Sequence, residues 1–554
     1  MKKMNRHIAS AFATLALSLL SSGMSAKEMQ RVSPDHNLTG STYLNPVIHA
    51  DYSDPDAVAS PDGKTFYMTA SSFQCAPGLP ILKSNDLVNW SIVNYALPAV
   101  PPYDFYDAAP RHGKGVWAPC IRLHNNEYYI YWGDPDFGVF MIKTDDPEGK
   151  WSEPVLVKGG KGIIDPTPFW DEDGKAYLAN GWAGSRAGFN SVITISEMKP
   201  DGTSVISQPR IVYDGNDGVN HTVEGPKMYK RDGYYYLFAP AGGVEKGWQL
   251  VMRSKNIYGP YESKIVMAQG NSDINGPHQG AWVSTGSGED WFLHFQDKGP
   301  YGRIINLNPM TWCDGWPVIG EDKDGDGCGD PVRKWKKPAV SGKPVPDDSA
   351  AAPLLYQWHG NYNDFFGFPI ADGLMRIYGH RLTENFINFW EVPNLWLQKF
   401  PAEQFTLTSK VKVSAKSTSE DVSSGIIVMG WDYARLGLVK KGENFDVVFT
   451  TCRDAEQNGK EENKTIATLS PSRTYPAGLY PNLERDLWLR VKVNKDGICE
   501  FLYSEDGKKY VSAGTFKARA GKWIGAKAGF YSVTPSSTTE KGWIDIITSE
   551  TEVK

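Results

Sequence analysis

Cysteine is scarce in this chain. The six thiols in 554 residues, Cys75, Cys120, Cys313, Cys328, Cys452 and Cys499, never stand as Cys-x-x-Cys, so zinc-ribbon and thioredoxin-like chemistry is excluded. Cys313 and Cys328 bracket a loop that a disulfide could close in an oxidising compartment; scattered free thiols are the equal alternative. A surplus of one charge is lacking too. Lys and Arg number 58 against 64 Asp and Glu, a net charge of −6, which gives no electrostatic case for nucleic acid or an anionic membrane. Beyond the N-terminus no apolar run is long enough to span a bilayer. Few stretches hold a helical period over a dozen residues, so the chain reads as nearly all β.

Aromatics, in contrast, are plentiful, with 19 Trp and 27 Tyr. Most must be core, but flat ring faces also suit sugars. The N-terminus has a basic head (Lys2, Lys3, Arg6), an apolar run from Ile8 to Leu20 and a small, polar region from Ser21 to Ala26. That is the layout of a cleaved signal peptide over residues 1–26, so the mature chain is expected to be exported, periplasmic or secreted. No Cys follows the apolar run, so lipid attachment is not expected.

One layout recurs five times. A polar turn precedes a short aromatic strand whose marker falls at Tyr67, Tyr129, Tyr177, Tyr236 and Phe292, at intervals of 62, 48, 59 and 56 residues. Intervals of roughly 40–60 residues with strand-type content indicate propeller blades of about four strands. Twelve to fourteen residues before each marker stands Asp54, Trp117, Asp165, Glu224 or His278. Equivalent positions of successive blades converge on the axis, so five unlike side chains there indicate a site. The expected fold is all-β: a five-bladed β-propeller over residues 43–330, a Pro- and Lys-rich linker over 331–353, and a β-sandwich over 354–554, where Phe405–Val413 and Leu487–Val493 alternate strictly. Asp322, Asp324 and Asp326 imitate an EF-hand opening, but the twelfth position is Arg333, so an acidic hairpin tip is expected.

Asp54, Asp165 and Glu224 each open a blade. Like charges in a confined site repel, so three acids facing one axis call for a role. Glycoside hydrolysis supplies one: one carboxyl donates a proton to the leaving oxygen and another activates water or attacks the sugar.

Asn45-Pro46-Val47-Ile48, Ser53-Asp54-Pro55-Asp56, Trp117-Ala118-Pro119, Asp165-Pro166-Thr167-Pro168 and Glu224-Gly225-Pro226, in this order, resemble glycoside hydrolase family 43. Trp358, Gly437-Leu438 and Trp523-Ile524-Gly525-Ala526-Lys527 resemble the C-terminal sandwich of some members. The resemblance implies hydrolysis with inversion, Asp54 as general base, Glu224 as general acid and Asp165 as the residue that tunes and orients the acid. It places His278 on the axis, beside a calcium ion reached through water in some members; no cofactor is required for the reaction, and a structural calcium is the alternative to a plain core histidine. Arg303 is expected to contact substrate, and Phe73 and Trp117 to wall the sugar pocket. Two positions depart from the family pattern: Val223 separates Thr222 from Glu224, and Gln279 follows His278.

The expected activity is exo-acting release of terminal α-L-arabinofuranose or β-D-xylose, arabinofuranose placed first, from plant cell-wall polysaccharides or oligosaccharides. The alternatives are a non-catalytic carbohydrate-binding propeller and an endo-acting arabinanase. Trp358 and Trp488 offer the sandwich aromatic surface for glycan. No nucleic-acid partner and no membrane insertion are expected.

Overall fold

The computed structural model describes residues 30–340, 353–363, 365–476, 478 and 482–554. The expected signal segment and much of the expected linker lie outside the described residues.

Five sheets of four consecutive strands follow one another along the chain, the first extended by Gln30–Arg31 at its outer edge. Their innermost strands are Asp56–Ala59, Trp117–His124, Ile163–Trp170, Lys227–Arg231 and His278–Ser284. Each next strand carries one of the five aromatic markers, so the repeat seen in the sequence is the blade itself. The turns between these strand pairs explain the polar clusters. Asn125–Asn126 and Asp232–Gly233 have positive φ at both positions, the backbone a two-residue hairpin turn of the right twist demands. Ring closure is made by the N-terminal segment. Asn45 accepts from and donates to Leu307 in the last blade, and Thr42–Leu44 pairs with Lys334–Lys336. That strand lies inside the stretch expected to be linker.

The second body is two eight-stranded sheets packed face to face. Leu487, Leu489, Val491 and Val493 point inward from one sheet, and Leu436, Leu438 and Phe530 from the other, as the period-two pattern requires. All six cysteines are unpaired, including Cys313 and Cys328, so the disulfide alternative is not realised. Asp322, Asp324 and Asp326 cluster at a turn, where Asp322 accepts the backbone N–H groups of Gly325 and Gly327, Asp324 that of Asp326, and Asp326 that of Cys328. Among the described residues no helix is long and apolar enough to cross a membrane.

The two bodies are locked by buried polar contacts. Trp358 exchanges backbone hydrogen bonds with Ala76 at 2.7 and 3.2 Å, so it is an interface residue and presents no face to glycan. Trp488 carries Lys410 over its ring. The Asn361 amide bridges both backbone groups of Val100. His112 stacks on Trp390 at 3.5 Å between centroids and lies 3.3 Å from His359, Nε2 to Nε2. Burial holds the His112 pKa down at about 4, below the usual 6.5, and holds that of His359 well below 6.5 too. Below pH 6.5 the unfolded chain therefore binds protons that the docked form refuses, so stability present above that pH is lost as pH falls toward 4. Melting temperature is expected to drop over this window, and His112→Gln to flatten the drop. An unchanged slope in the variant would remove this pair as its cause.

Candidate active site

The five inner strands enter the axis through one repeated backbone device. Asp54, Ala118, Asp165, Gly225 and Gln279 all have positive φ, at 56, 36, 54, 60 and 28°, and four of the five precede a proline. Left-handed backbone costs a non-glycine residue on the order of 1 kcal/mol or more. Holding it at four such positions around one axis requires the surrounding blades to enforce it. This register corrects the sequence alignment by one residue in three blades. Asp54 and Asp165 occupy the left-handed position itself, whereas Trp117, Glu224 and His278 stand one residue before it.

The shift separates the acids. Asp54 and Asp165 are 7% and 4% exposed, while the Glu224 side chain keeps 34% of its surface. The two aspartates therefore lie deep and the glutamate lies where an entering sugar would meet it.

Each carboxylate has its own partners. Asp54 accepts from the Ser71 hydroxyl at 2.6 Å and faces Arg303 Nη1 at 3.4 Å. Burial raises its pKa, with Arg303 and Ser71 holding the rise back. Asp165 Oδ2 accepts the backbone N–H of Gly225 at 2.8 Å, which fixes the peptide next to Glu224. Gly225 cannot be replaced cheaply, because a Cβ there would lie 2.3 Å from the Gln279 side chain. Burial and the neighbouring acids raise both Asp165 and Glu224 well above the usual carboxylate range. For Glu224, water in the open pocket tempers the burial effect, and a bound sugar that displaces this water restores it. One environment thus favours a protonated glutamate beside an ionisable aspartate, the division of labour that acid–base hydrolysis needs.

His278 Nε2 lies 3.4 Å from Glu224 Oε1. It is no ion pair, because burial and the Arg303 charge hold the imidazole neutral, its pKa lowered to about 3. Among the described residues, both its ring nitrogens and both amide atoms of Asn306 are buried without a hydrogen-bond partner. Such atoms call for water. A calcium ion takes six to eight oxygen ligands, and an imidazole contributes none, so His278 fits an ion only through intervening water.

Arg303 lies over the Phe295 ring at 4.8 Å and 5.9 Å from Trp523. Trp117 faces Trp523 edge-on at 6.2 Å and carries Arg186 over its ring. Phe73 is only 2% exposed and packs with Cys75 and Ile524, so it backs the pocket from behind and offers a sugar little surface.

Three contributors escaped sequence reasoning. Trp523, 49% exposed at φ 66°, belongs to the sandwich yet stands beside the propeller's axis. Asp51 puts it there: Oδ1 accepts the Arg303 N–H at 2.9 Å and Oδ2 the Gly525 N–H at 3.0 Å. The approach is close enough that a Cβ on Gly525 would lie 2.8 Å from the Gly302 nitrogen. Lys227, buried, completes the list. Asp51 and Lys227 sit next to quoted motifs, which was the only signal available.

A cavity of about 500 Å³ lies at the opposite end of the axis, lined by Arg122, Trp170, Tyr229 and Trp282. Its acids, Asp171 and Glu172, are both engaged by Lys230, so it holds no free carboxyl pair.

Comparison with known proteins agrees with this geometry. The model of the glycosyl hydrolases family 43 matches residues 43–317, and that of a beta xylosidase C-terminal concanavalin A-like domain matches residues 348–547. A protein of Xylanibacter ruminicola named a putative beta-xylosidase is 35% identical over 88% of this chain and 86% of its own. A beta-xylosidase of Formosa agariphila is 31% identical over 91% and 89%. The crystal structure of a xylan beta-1,4-xylosidase from Bacillus halodurans shares the fold across 92% of this chain and all of that one, with a TM-score of 0.76 at 19% identity. A two-body fold, three carboxylates on one propeller axis and relatives that match along nearly the whole length lead to one assignment: this chain is a glycoside hydrolase and belongs to glycosyl hydrolases family 43.

Proposed function

We propose that the protein is an exo-acting, inverting pentosidase that releases terminal β-D-xylose or α-L-arabinofuranose from plant cell-wall oligosaccharides or polysaccharides. The observation that carries this reading is the Trp523 loop. An endo-acting enzyme needs a cleft open at both ends, whereas here the sandwich places a tryptophan beside Trp117 and Arg303, at the edge of the carboxylate site. Xylose now stands first, because the two relatives described above carry β-xylosidase names. The two sugars present similar hydroxyl geometry, so one pocket accommodates either.

In the reaction, Asp54 takes a proton from the attacking water and Glu224 gives one to the leaving oxygen. Asp165 holds the Gly225 N–H and so aims the acid. Arg303 and Trp117 contact the sugar, and Phe73 supports them. No cofactor takes part; a calcium ion beside His278, through water, would be structural. The expected route is export by the segment 1–26, into the periplasm or the medium, where such glycans are met.

The test is hydrolysis of aryl β-D-xyloside and aryl α-L-arabinofuranoside side by side, on protein lacking residues 1–26, with xylo-oligosaccharides digested in parallel. Release of single pentose units, with the product's anomeric configuration inverted by NMR, is the expected result. Internal cleavage would favour an endo enzyme. Binding without release from any substrate would favour a carbohydrate-binding propeller.

A further inference from the structure

Two residues beyond the left-handed position, the inner strands present Asp56, Cys120, Thr167, Lys227 and Ala281, all buried. They form the layer directly beneath the carboxylates. Asp56 is neutralised by Arg122 at 2.6 Å. Cys120 and Thr167 satisfy one another at 3.2 Å. Lys227 is different. Its side chain is among the largest fully buried ones in the molecule, its Nζ reaches across to the Pro119 carbonyl at 2.9 Å, and among the described residues no carboxylate lies within ion-pair distance of it. A buried ammonium without a paired anion is destabilising, so a fold that retains one needs its charge for something other than stability.

The charges around the axis supply the reason. Three carboxylates, Asp54, Asp165 and Glu224, share the axis with two cations that, among the described residues, make no ion pair elsewhere, Arg303 and Lys227. Arg122 belongs to Asp56, and Asp51 is held by backbone N–H groups and the Ser53 hydroxyl. Three acids against two cations are neutral when one proton is bound. We propose that Lys227 is a positioning residue that fixes this proton count, keeping Asp54 and Asp165 ionised while the single proton stays on Glu224. Its reach is selective. The ammonium lowers the pKa values of Asp54 and Asp165, the two acids that lie deep above its layer, whereas Glu224 lies out toward the pocket. Lys227 therefore widens the gap between base and acid, which a cation close to all three could not do. His278 is neutral and adds no charge; outside this set, Asp51 also raises Asp54, and Arg303 also acts on Asp297.

This inference rests on the assignment of Asp54 and Glu224 as base and acid, and the experiment separates the two. Lys227→Met keeps the length and apolar stem and removes the charge; Lys227→Gln is the second variant, and Lys227→Arg restores the charge. The pH profile of kcat/KM on an aryl pentoside is measured for each beside the unsubstituted enzyme and Asp54→Asn. Without Lys227, three acids share one cation, so a second proton binds. The acid limb is expected to move up by on the order of one pH unit, the basic limb not to rise, and Lys227→Arg to bring the acid limb back toward its original position. Removing an unpaired buried charge also predicts folded Met and Gln variants. Both limbs unmoved at reduced activity would make Lys227 merely structural, and failure of both neutral variants to fold would also overturn the proposal. Substantial activity in Asp54→Asn would sink the base assignment instead, whatever Lys227 does.

Discussion

Asp54→Asn is expected to lower kcat/KM by ~10³-fold or more, equally for an aryl pentoside and for xylobiose. The amide keeps the shape of the side chain and can still accept from Ser71, but it cannot take a proton from water. Bond breaking to the leaving group is not its task, so the loss should not depend on how good that group is. Arg303, left facing a neutral side chain, gives up part of its compensation, while Asp165 and Glu224 gain relief from a neighbouring charge. These changes oppose one another, and the melting temperature is expected to stay within a few degrees of the unsubstituted protein, on the order of 1 kcal/mol. A variant within tenfold of full activity on both substrates would show that another group activates the water.

Much of this site was legible in the sequence because blades repeat. Five aromatic strands after polar turns, each preceded at a fixed distance by an unlike side chain, report an axis without any structure. What stayed hidden depends on contacts between distant parts of the chain. The hydrogen bond from Gly525 to Asp51 joins residues 474 apart in sequence, and nothing local in Lys522-Trp523-Ile524 says that it reaches a propeller. Exposure was equally unreadable: Phe73 and Trp117 looked alike, yet one is sealed against Cys75 and Ile524 and the other faces the pocket. The one-residue offset of Glu224 escaped because positive φ is a backbone property. Proline following Asp54, Asp165 and Gly225 marked the place, and glycine at 225 marked the offset, but only the dihedral angles show that Gly225, rather than Glu224, takes the left-handed seat.

That offset shapes the second large effect. Glu224 stands one residue upstream of the strained position, tethered through the Gly225 N–H to Asp165, with its carboxyl beside a neutral His278 and open toward the pocket. A group so placed, with its pKa raised by burial and by two acids, carries a proton when the aspartates do not. Glu224→Gln should therefore separate substrates by their leaving groups. Xylobiose, whose departing sugar must be protonated, should lose ~10³-fold or more. A dinitrophenyl pentoside, whose leaving group departs as a stable anion, should lose far less, and the basic limb of its pH profile should disappear because the titrating proton donor is gone. Asp54→Asn cannot give this pattern, since its defect lies in the water. Equal losses on both substrates for Glu224→Gln would transfer the acid role elsewhere on the axis, whereas a leaving-group-dependent loss with the acid limb intact would assign proton donation to Glu224 and leave water activation with Asp54.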